Sequence, residues 1–556
     1  MATIITISHK SLNNQLGSKI TLNELEEILF NMGFELESHE GDTLSIEITP
    51  ERLDLLSLQG LSRAIKSFKD SKLPTIDFKL NKGNYVVNVT KKVKEVRPFT
   101  VCAVIKNLNM TDENIQEIIN VQEKLHMLLA RKRVKGAIGI YPLDAIKMPI
   151  TYTAAKPKDI KFIPLGKDKI MHGLEILEFH ETGKEYAHLL KGKETFPYFI
   201  DSNGEILSMP PIINSEKTGR VTNKTKDIFI ECSGFDKLLL NEMLTNIVTM
   251  FSDMGGDIFE VEVKYEQEKT EKLPKLTPQK ITVKKSTIKQ LLGLELKDKE
   301  ITKLLTKMMY EVTKINENSF EVKAPCYRRD IWHEIDVADD IARAYGYNNF
   351  KLKVPEISTV GETLPLSDLK EQTADVMVGL GHLEVYTNVL TSEKENIDNM
   401  LLKNYKQKYV KIINGNENQT MMRLSLIPEL LKSLSNNRSN PIPQKIFEAG
   451  LVIIPDDKQD VKSRNEMHVS AMITNKTATF TEIKQTLNAL LKTRNLTCEI
   501  KTTKHPSFIE GRVGNILINK KLVGIVGELH PQVLINFGLI TPVSVFEFNL
   551  EEILEK

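Results

Sequence analysis

The stretch Arg328-Arg329-Asp330-Ile331-Trp332-His333-Glu334-Ile335-Asp336-Val337-Ala338-Asp339-Asp340-Ile341-Ala342-Arg343-Ala344-Tyr345-Gly346-Tyr347 carries two patterns at once. Ile331, Ile335, Ala338, Ala342 and Tyr345 recur at steps of four and three, the spacing of one buried helical face, and Gly346 supplies the stop. Residues three and four apart are helical neighbours, so Asp336, Asp339 and Asp340 are expected on one face, with Asp330 at the helix entry as a cap or a fourth oxygen ligand. Crowded carboxylates repel, and a hard cation or a basic partner relieves them. A solvated acidic helix start, with Asp330 satisfying first-turn amides, accounts for the same residues without any ligand.

Extended to Tyr345-Gly346-Tyr347-Asn348-Asn349, the run closely resembles the B5 module of the phenylalanyl-tRNA synthetase beta subunit family. The resemblance implies that Asp330, Asp336, Asp339 and Asp340 attend a magnesium ion shared with the alpha subunit. Many relatives carry Glu at the last two positions; Asp offers the same hard oxygen on a shorter arm. The B5-like module is expected over 274–350, with helices Ser286 to Leu292 and Asp298 to Met309 and a strand Ser319 to Ala324 ahead of the acidic helix.

Toward the N-terminus, residues 1–87 read as a B1-like module: a strand from Met1, a helix Leu22 to Met32, a strand Leu44 to Ile48, and Thr49-Pro50-Glu51-Arg52-Leu53-Asp54-Leu55-Leu56-Ser57. That segment is similar to the family's TPNRPDLLS, with Glu51 and Leu53 departing from it. Arg52 and Asp54 suit a salt bridge and cap at the entry of a helix that buries Leu58, Leu61, Ala64, Ile65 and Phe68.

Residues 88–268 mix alternating strands with a helix Ile115 to Ala130. The cations Arg131, Lys132, Arg133 and Lys135 follow it, either as a solvated helix end or as a phosphate contact. The run Phe196 to Asn214 predicts two short strands about an Asp201-to-Gly204 turn, closed by Pro210-Pro211. A strand Ile228 to Ser233 and a helix burying Leu239, Met243, Ile247, Met250 and Met254 come next. Ile206-Leu207-Ser208-Met209-Pro210-Pro211-Ile212-Ile213-Asn214-Ser215 and Phe229-Ile230-Glu231-Cys232-Ser233 look like the family's B3/B4 editing signatures, ILSLPPIINS and FIDVTGTD. The resemblance places an editing pocket on Phe199 as a substrate contact and on Ser208, Asn214, Glu231 and Ser233 as hydrolytic residues. Glu231 stands where Asp is common, Ser233 where Thr is common, and Phe235 replaces a nearby Thr. A plainer account has Glu231 at the end of an edge strand, paired with a lysine.

A charged linker, Glu268 to Lys275, precedes the B5-like module, and a second, Lys351 to Pro365, follows it. Residues 362–556 match the family's last module, which resembles a class II synthetase core that has lost catalysis. Such a core needs an arginine on the ATP phosphates and a Gly-rich, arginine-ending element on the adenine side. Arg423 and Glu448 are too far apart for one compact motif, and no Gly-rich arginine element lies near Val543 to Leu554, so adenylation by this chain alone is not expected. Arg423 reads as a structural cap or ion-pair partner, and His505 and His530, each before a proline, as turn residues.

Composition sets the outer bounds. At 556 residues the chain holds roughly three to five domains, and the expected class is multidomain α+β and α/β. Lys+Arg number 75 against 74 Asp+Glu, so no global basic field advertises nucleic acid. Cys102, Cys232, Cys326 and Cys498 are too scattered for a zinc pattern and read as reduced thiols. No signal peptide or membrane span is expected, and the location implied is cytoplasmic. The resemblance implies a beta subunit that supports ATP-dependent charging of tRNA(Phe) by a separate alpha subunit, as an α2β2 tetramer, and that edits Tyr-tRNA(Phe). A scaffold that has lost editing and an independent RNA-binding factor are the alternatives.

Overall fold

A computed structural model describes residues 3–71, 77–266, 270–404 and 408–554. Met1 and Ala2 of the expected first strand, Glu268 and Lys269 of the expected linker, and the outer limits 1, 268 and 556 of the expected modules lie outside them. The chain divides into two compact units, Met1–Lys353 and Val354–Lys556.

The first unit opens with a small antiparallel sheet ordered Thr3–Ser8, Thr43–Ile48, Glu35–Glu40. Helix Leu22–Met32 begins at Thr21, whose side chain accepts from Glu24 N, and ends at Gly33, whose φ of 87° only glycine takes without strain. Arg52 and Asp54 form the expected pair, two parallel hydrogen bonds of 2.9 Å, fully buried at the entry of helix Leu58–Asp70.

The dominant element is a ten-stranded mixed sheet among the described residues. Its order is Ile213–Asn214, Ile206–Met209, Phe196–Ile200, Ile150–Ala155, Leu80–Val89, Asp257–Tyr265, Phe99–Lys106, Ile228–Gly234 and Gly136–Pro142, with Glu271–Leu273 also on Asp257–Tyr265. Two expectations change. Leu80–Val89 pairs in parallel with Asp257–Tyr265, so the chain enters this module before residue 80 and not at 88. Glu271–Leu273, read as linker because of its charges, is a strand whose Leu273 is buried in the core. Strand Ile228–Gly234 lies between two neighbours and is buried at every position, so it is no edge strand. Helix Lys237–Asp253 covers the sheet, with Leu239, Met243, Ile247 and Met250 buried and Met254 just past its end.

The two ends of this sheet meet. Asn214 Nδ2, on one terminal strand, donates to Ile140 O on the other at 3.4 Å, and Tyr141 from the second end touches Ser208 and Asn214 from the first. Side chains, in place of a backbone ladder, join this seam.

The third body is a sheet ordered Gln279–Lys284, Ser319–Ala324, Glu311–Ile315 with helices Lys285–Leu292, Asp298–Lys307 and Glu334–Tyr345. The last helix starts at Glu334, so Ile335 falls in its first turn and is half exposed, while Val337, Ala338, Ile341, Ala342 and Ala344 form the buried face.

In the second unit, residues 354–364 have no regular structure and are exposed. A seven-stranded sheet follows, ordered Leu383–Glu384, Gln444–Pro455, Ser463–Thr474, Val543–Asn549, Lys521–Leu529, Phe508–Ile518, Glu499–Thr502. Period-two alternation supplies both its faces. Phe546 and Phe548 pack with Leu369, Met377 and Leu487 of helices Pro365–Gly379 and Phe480–Lys492, and Val543 and Val545 pack with Leu430, Leu434 and Val533 on the other side.

Candidate functional site

At the seam the sheet leaves a cleft of about 480 Å³ whose lining includes Ser208, Asn214 and Glu231. Strand register explains the meeting. Ser208 and Asn214 are directly paired on adjacent strands, and Glu231 is paired with Gly139 on the far side of the seam. Tyr141, two residues on from Gly139, shares Glu231's face. Its hydroxyl lies 2.7 Å from Ser208 Oγ, 3.2 Å from Glu231 Oε1 and 3.4 Å from Asn214 Oδ1.

Glu231 is 2% exposed, and its Oε2 has no hydrogen-bond partner among the described residues. Burial pushes its carboxyl up to about 8, against the pull of the Arg97 charge and of the Tyr141 and Ser233 hydroxyls. Near neutrality it therefore carries a proton. Burial also lifts the Tyr141 phenol well above its ordinary range. The lysine pairing considered for Glu231 is absent among the described residues: its near cation is Arg97, whose guanidinium grips Ser233 through Nε to Oγ at 3.2 Å and through a second nitrogen to the backbone oxygen at 2.6 Å.

The structure thus brings together three of the five expected pocket residues. Ser233 is held behind the cleft by Arg97, and Phe199 is core, stacked on Tyr152 at 4.3 Å. Sequence reasoning missed Tyr141, although the two glycines in Gly136-Ala137-Ile138-Gly139-Ile140-Tyr141 signal close approach within a strand. A Cβ on Gly139 would sit 2.2 Å from the Tyr141 hydroxyl and 2.6 Å from Glu231 Oε1. It also misplaced Arg133. This side chain is not solvated: it donates to Pro211 O, Ile212 O and Glu123, and lies over the Tyr186 ring, fixing the Pro-Pro lip of the cleft.

The acidic helix is organised differently from a shared carboxylate cage. Asp330 is not the cap: both its oxygens accept from Arg328, at 2.9 and 2.7 Å. Asp340 points inward to the same guanidinium at 2.7 Å and accepts from Tyr310 at 2.7 Å. Burial would raise Asp330, yet the Arg328 charge and hydrogen bonds outweigh it and hold the carboxyl below its ordinary range. The cap is His333, completed by Asp336, which accepts from the backbone of Trp332 and His333 at 2.7 Å. Asp339 faces solvent and accepts from Arg343 and Tyr347. Successive residues on a helix diverge by about 100°, which separates Asp339 from Asp340. Among the described residues no three acidic, histidine or cysteine side chains are placed to hold a metal ion, so these four do not fit a cage built by this chain alone.

In the second unit Arg423 and Glu448, distant in sequence, form a buried pair at 2.9 Å that also takes in Thr387 and Leu451 O. Both charged groups are committed to each other, as expected of a structural pair. His505 accepts from the amide of Ser507 in the turn that follows it, whereas His530 is the N-cap of helix Pro531–Asn536 and accepts from Gln532 N, so it is a helix cap and not a turn residue. No helix among the described residues is long and apolar enough to cross a membrane.

Family models match four successive segments: the Phe-tRNA synthetase beta subunit B1 domain over residues 1–71, the B3/4 domain over 81–249, the tRNA synthetase B5 domain over 281–347, and the phenylalanyl tRNA synthetase beta chain CLM domain over 351–550. The chain is 37% identical to the phenylalanine–tRNA ligase beta subunit of Pyrococcus furiosus across 98% of both proteins, and 36% identical to that of Methanosarcina barkeri across 99% of both. Among solved structures, an N-terminal fragment of the phenylalanyl-tRNA synthetase beta subunit from Pyrococcus horikoshii matches 62% of this chain and 99% of its own, with 38% identity and a TM-score of 0.59. With its modules in the family's order and its likeness running nearly end to end, the chain belongs to the phenylalanine–tRNA ligase beta subunit family, in its archaeal type.

Proposed function

We propose that this chain works with a separate alpha subunit, which adenylates phenylalanine with ATP and charges tRNA(Phe), and that its seam cleft hydrolyses Tyr-tRNA(Phe). The observation that carries the proposal is the Glu231 carboxyl, buried at the cleft with one oxygen unpartnered beside Ser208 and Asn214. An apolar site built for phenylalanine excludes tyrosine poorly, because one added hydroxyl costs little there; a site with a buried polar group that only the hydroxyl satisfies separates the two strongly. Glu231 reads that hydroxyl in either state, as a donor when protonated and an acceptor when ionised. In the hydrolysis, water adds to the ester carbonyl carbon, the bond to the ribose oxygen breaks, and that oxygen leaves with a proton. In this reading Ser208 and Asn214, which line the cleft, hydrogen-bond the ester.

The same reading gives the complex an α2β2 stoichiometry and a cytoplasmic setting, in keeping with the four free cysteines. Magnesium at Asp330, Asp336, Asp339 and Asp340 then requires ligands from the alpha subunit, since each carboxylate here already has a partner. One observation favours a scaffold without editing: Glu231 already has a phenol, that of Tyr141, on one oxygen.

Glu231→Ala separates the readings. In the αβ complex it is expected to lower hydrolysis of Tyr-tRNA(Phe) on the order of a thousand-fold while phenylalanine charging is unchanged. Hydrolysis at the wild-type rate would place editing elsewhere.

A further inference from the structure

Among the described residues, the Tyr141 hydroxyl lies within hydrogen-bond distance of Ser208, Asn214 and Glu231, and it reaches the first two from the opposite end of the sheet. We propose that Tyr141 is a positioning residue for this cleft: its one phenol proton goes to Oε1 of Glu231, so that only Oε2 is offered to a substrate hydroxyl, and its oxygen, 2.7 Å from Ser208 Oγ, holds that serine side chain at the cleft. This rests on the hydrolytic reading above and names a residue that sets its selectivity.

Three observations support it. The tyrosine is fully buried, its ring tilted against Phe229 at 5.9 Å, so the hydroxyl is fixed and cannot swing to solvent. The strand is carved for this contact: Gly139 lies directly opposite Glu231, and any side chain there would strike both the phenol oxygen and Oε1. The division of the carboxyl is visible, since Oε1 is engaged and Oε2 is buried without a hydrogen-bond partner among the described residues. A buried polar atom left unsatisfied is unfavourable, and a ligand hydroxyl would satisfy it. Without the phenol, Glu231 could turn either oxygen to the cleft, and Ser208 would lose its 2.7 Å partner. The groups whose charge or proton reaches Glu231 are Arg97 ahead of strand Phe99–Lys106, Cys102 on it, Cys232 beside the carboxyl, Tyr152 on strand Ile150–Ala155, and Tyr141. Tyr141 hydrogen-bonds it at 3.2 Å, and the hydroxyls of Tyr141 and Ser233 both favour the ionised form.

The experiment uses the αβ complex with Tyr-tRNA(Phe), comparing wild type, Tyr141→Phe, Gly139→Ala and Glu231→Gln. Tyr141→Phe is expected to reduce the rate constant for hydrolysis roughly 10- to 100-fold, the worth of one hydrogen bond to a chargeable group, with little change in KM. The inflection of the pH–rate profile that Glu231→Gln removes is expected to move to higher pH in Tyr141→Phe, because a donor to the carboxylate has gone. Gly139→Ala, which displaces the hydroxyl without deleting it, should lower the same rate constant. A residue that merely fills the core would change the melting temperature and leave the inflection in place. Wild-type rate and inflection in Tyr141→Phe, in a complex that does hydrolyse Tyr-tRNA(Phe), overturn the role of Tyr141 alone. Absence of hydrolysis in the wild type overturns the underlying reading as well.

Discussion

Glu231 and Arg328 show how far single residues were legible. That Glu231 would be a buried carboxyl followed from its place in an apolar strand that resembles the family's motif. That its partner would be Tyr141 did not, because the two strands pair across 90 positions of sequence. Arg328 was quoted only as the start of a motif, yet it is the cation that binds Asp330 and Asp340 and turns an expected repulsion into a buried ion triad. Which carboxylate a buried arginine selects depends on where each side chain points, and helical spacing alone does not settle that. The pH behaviour of Glu231 has a definite sign. The folded chain holds its proton up to about 8, whereas an exposed glutamate releases it near 4.5. The folded state therefore binds more protons in that interval, and the stability this group contributes is full below pH 4.5 and is lost as pH rises toward 8. Glu231→Gln is expected to flatten that part of the curve of apparent melting temperature against pH; an unchanged slope would show that the carboxyl is ionised when folded.

Among elements, the strands and helices with strong local signals stand where the sequence placed them. Helix Leu22–Met32 and strand Ser319–Ala324 are examples, because caps and alternation act within a few residues. Glu271–Leu273 escaped notice since its charges face out from an otherwise buried pairing. The acidic helix was found but its face was misjudged, and its entry carries the chain's single tryptophan, Trp332, 84% exposed and hydrogen-bonded through its indole to Arg329 O. Trp332 lies next to the amides that Asp336 caps, which makes it a local reporter. Titrating the isolated chain with millimolar magnesium is expected to leave Trp332 emission unchanged, because Asp330, Asp336 and Asp340 are already engaged. Adding the alpha subunit should then shift the emission to shorter wavelength as the indole is buried. A magnesium-dependent shift without the partner would show that this chain alone builds the metal site.

The second unit retains a seven-stranded sheet with helices on both faces, but its buried arginine is locked to Glu448 and Thr387. ATP–pyrophosphate exchange with phenylalanine is accordingly expected to be at background for the isolated chain and to appear with the alpha subunit. Robust exchange by the chain alone would reassign catalysis to it.

The ordering of the large sheet bears on when the cleft comes into existence. Ser208 and Asn214 belong to a half-sheet that runs from Ile213–Asn214 to Leu80–Val89, and Tyr141 and Glu231 to another that runs from Phe99–Lys106 to Gly136–Pro142. Among the described strands, Asp257–Tyr265 is the one that pairs through its backbone with both halves, and it follows every residue of the site in sequence. A chain can hold all the side chains of the cleft and still lack it, since contacts of such large sequence separation form slowly. The cleft therefore depends on the pairing of a strand that contributes no residue to its lining.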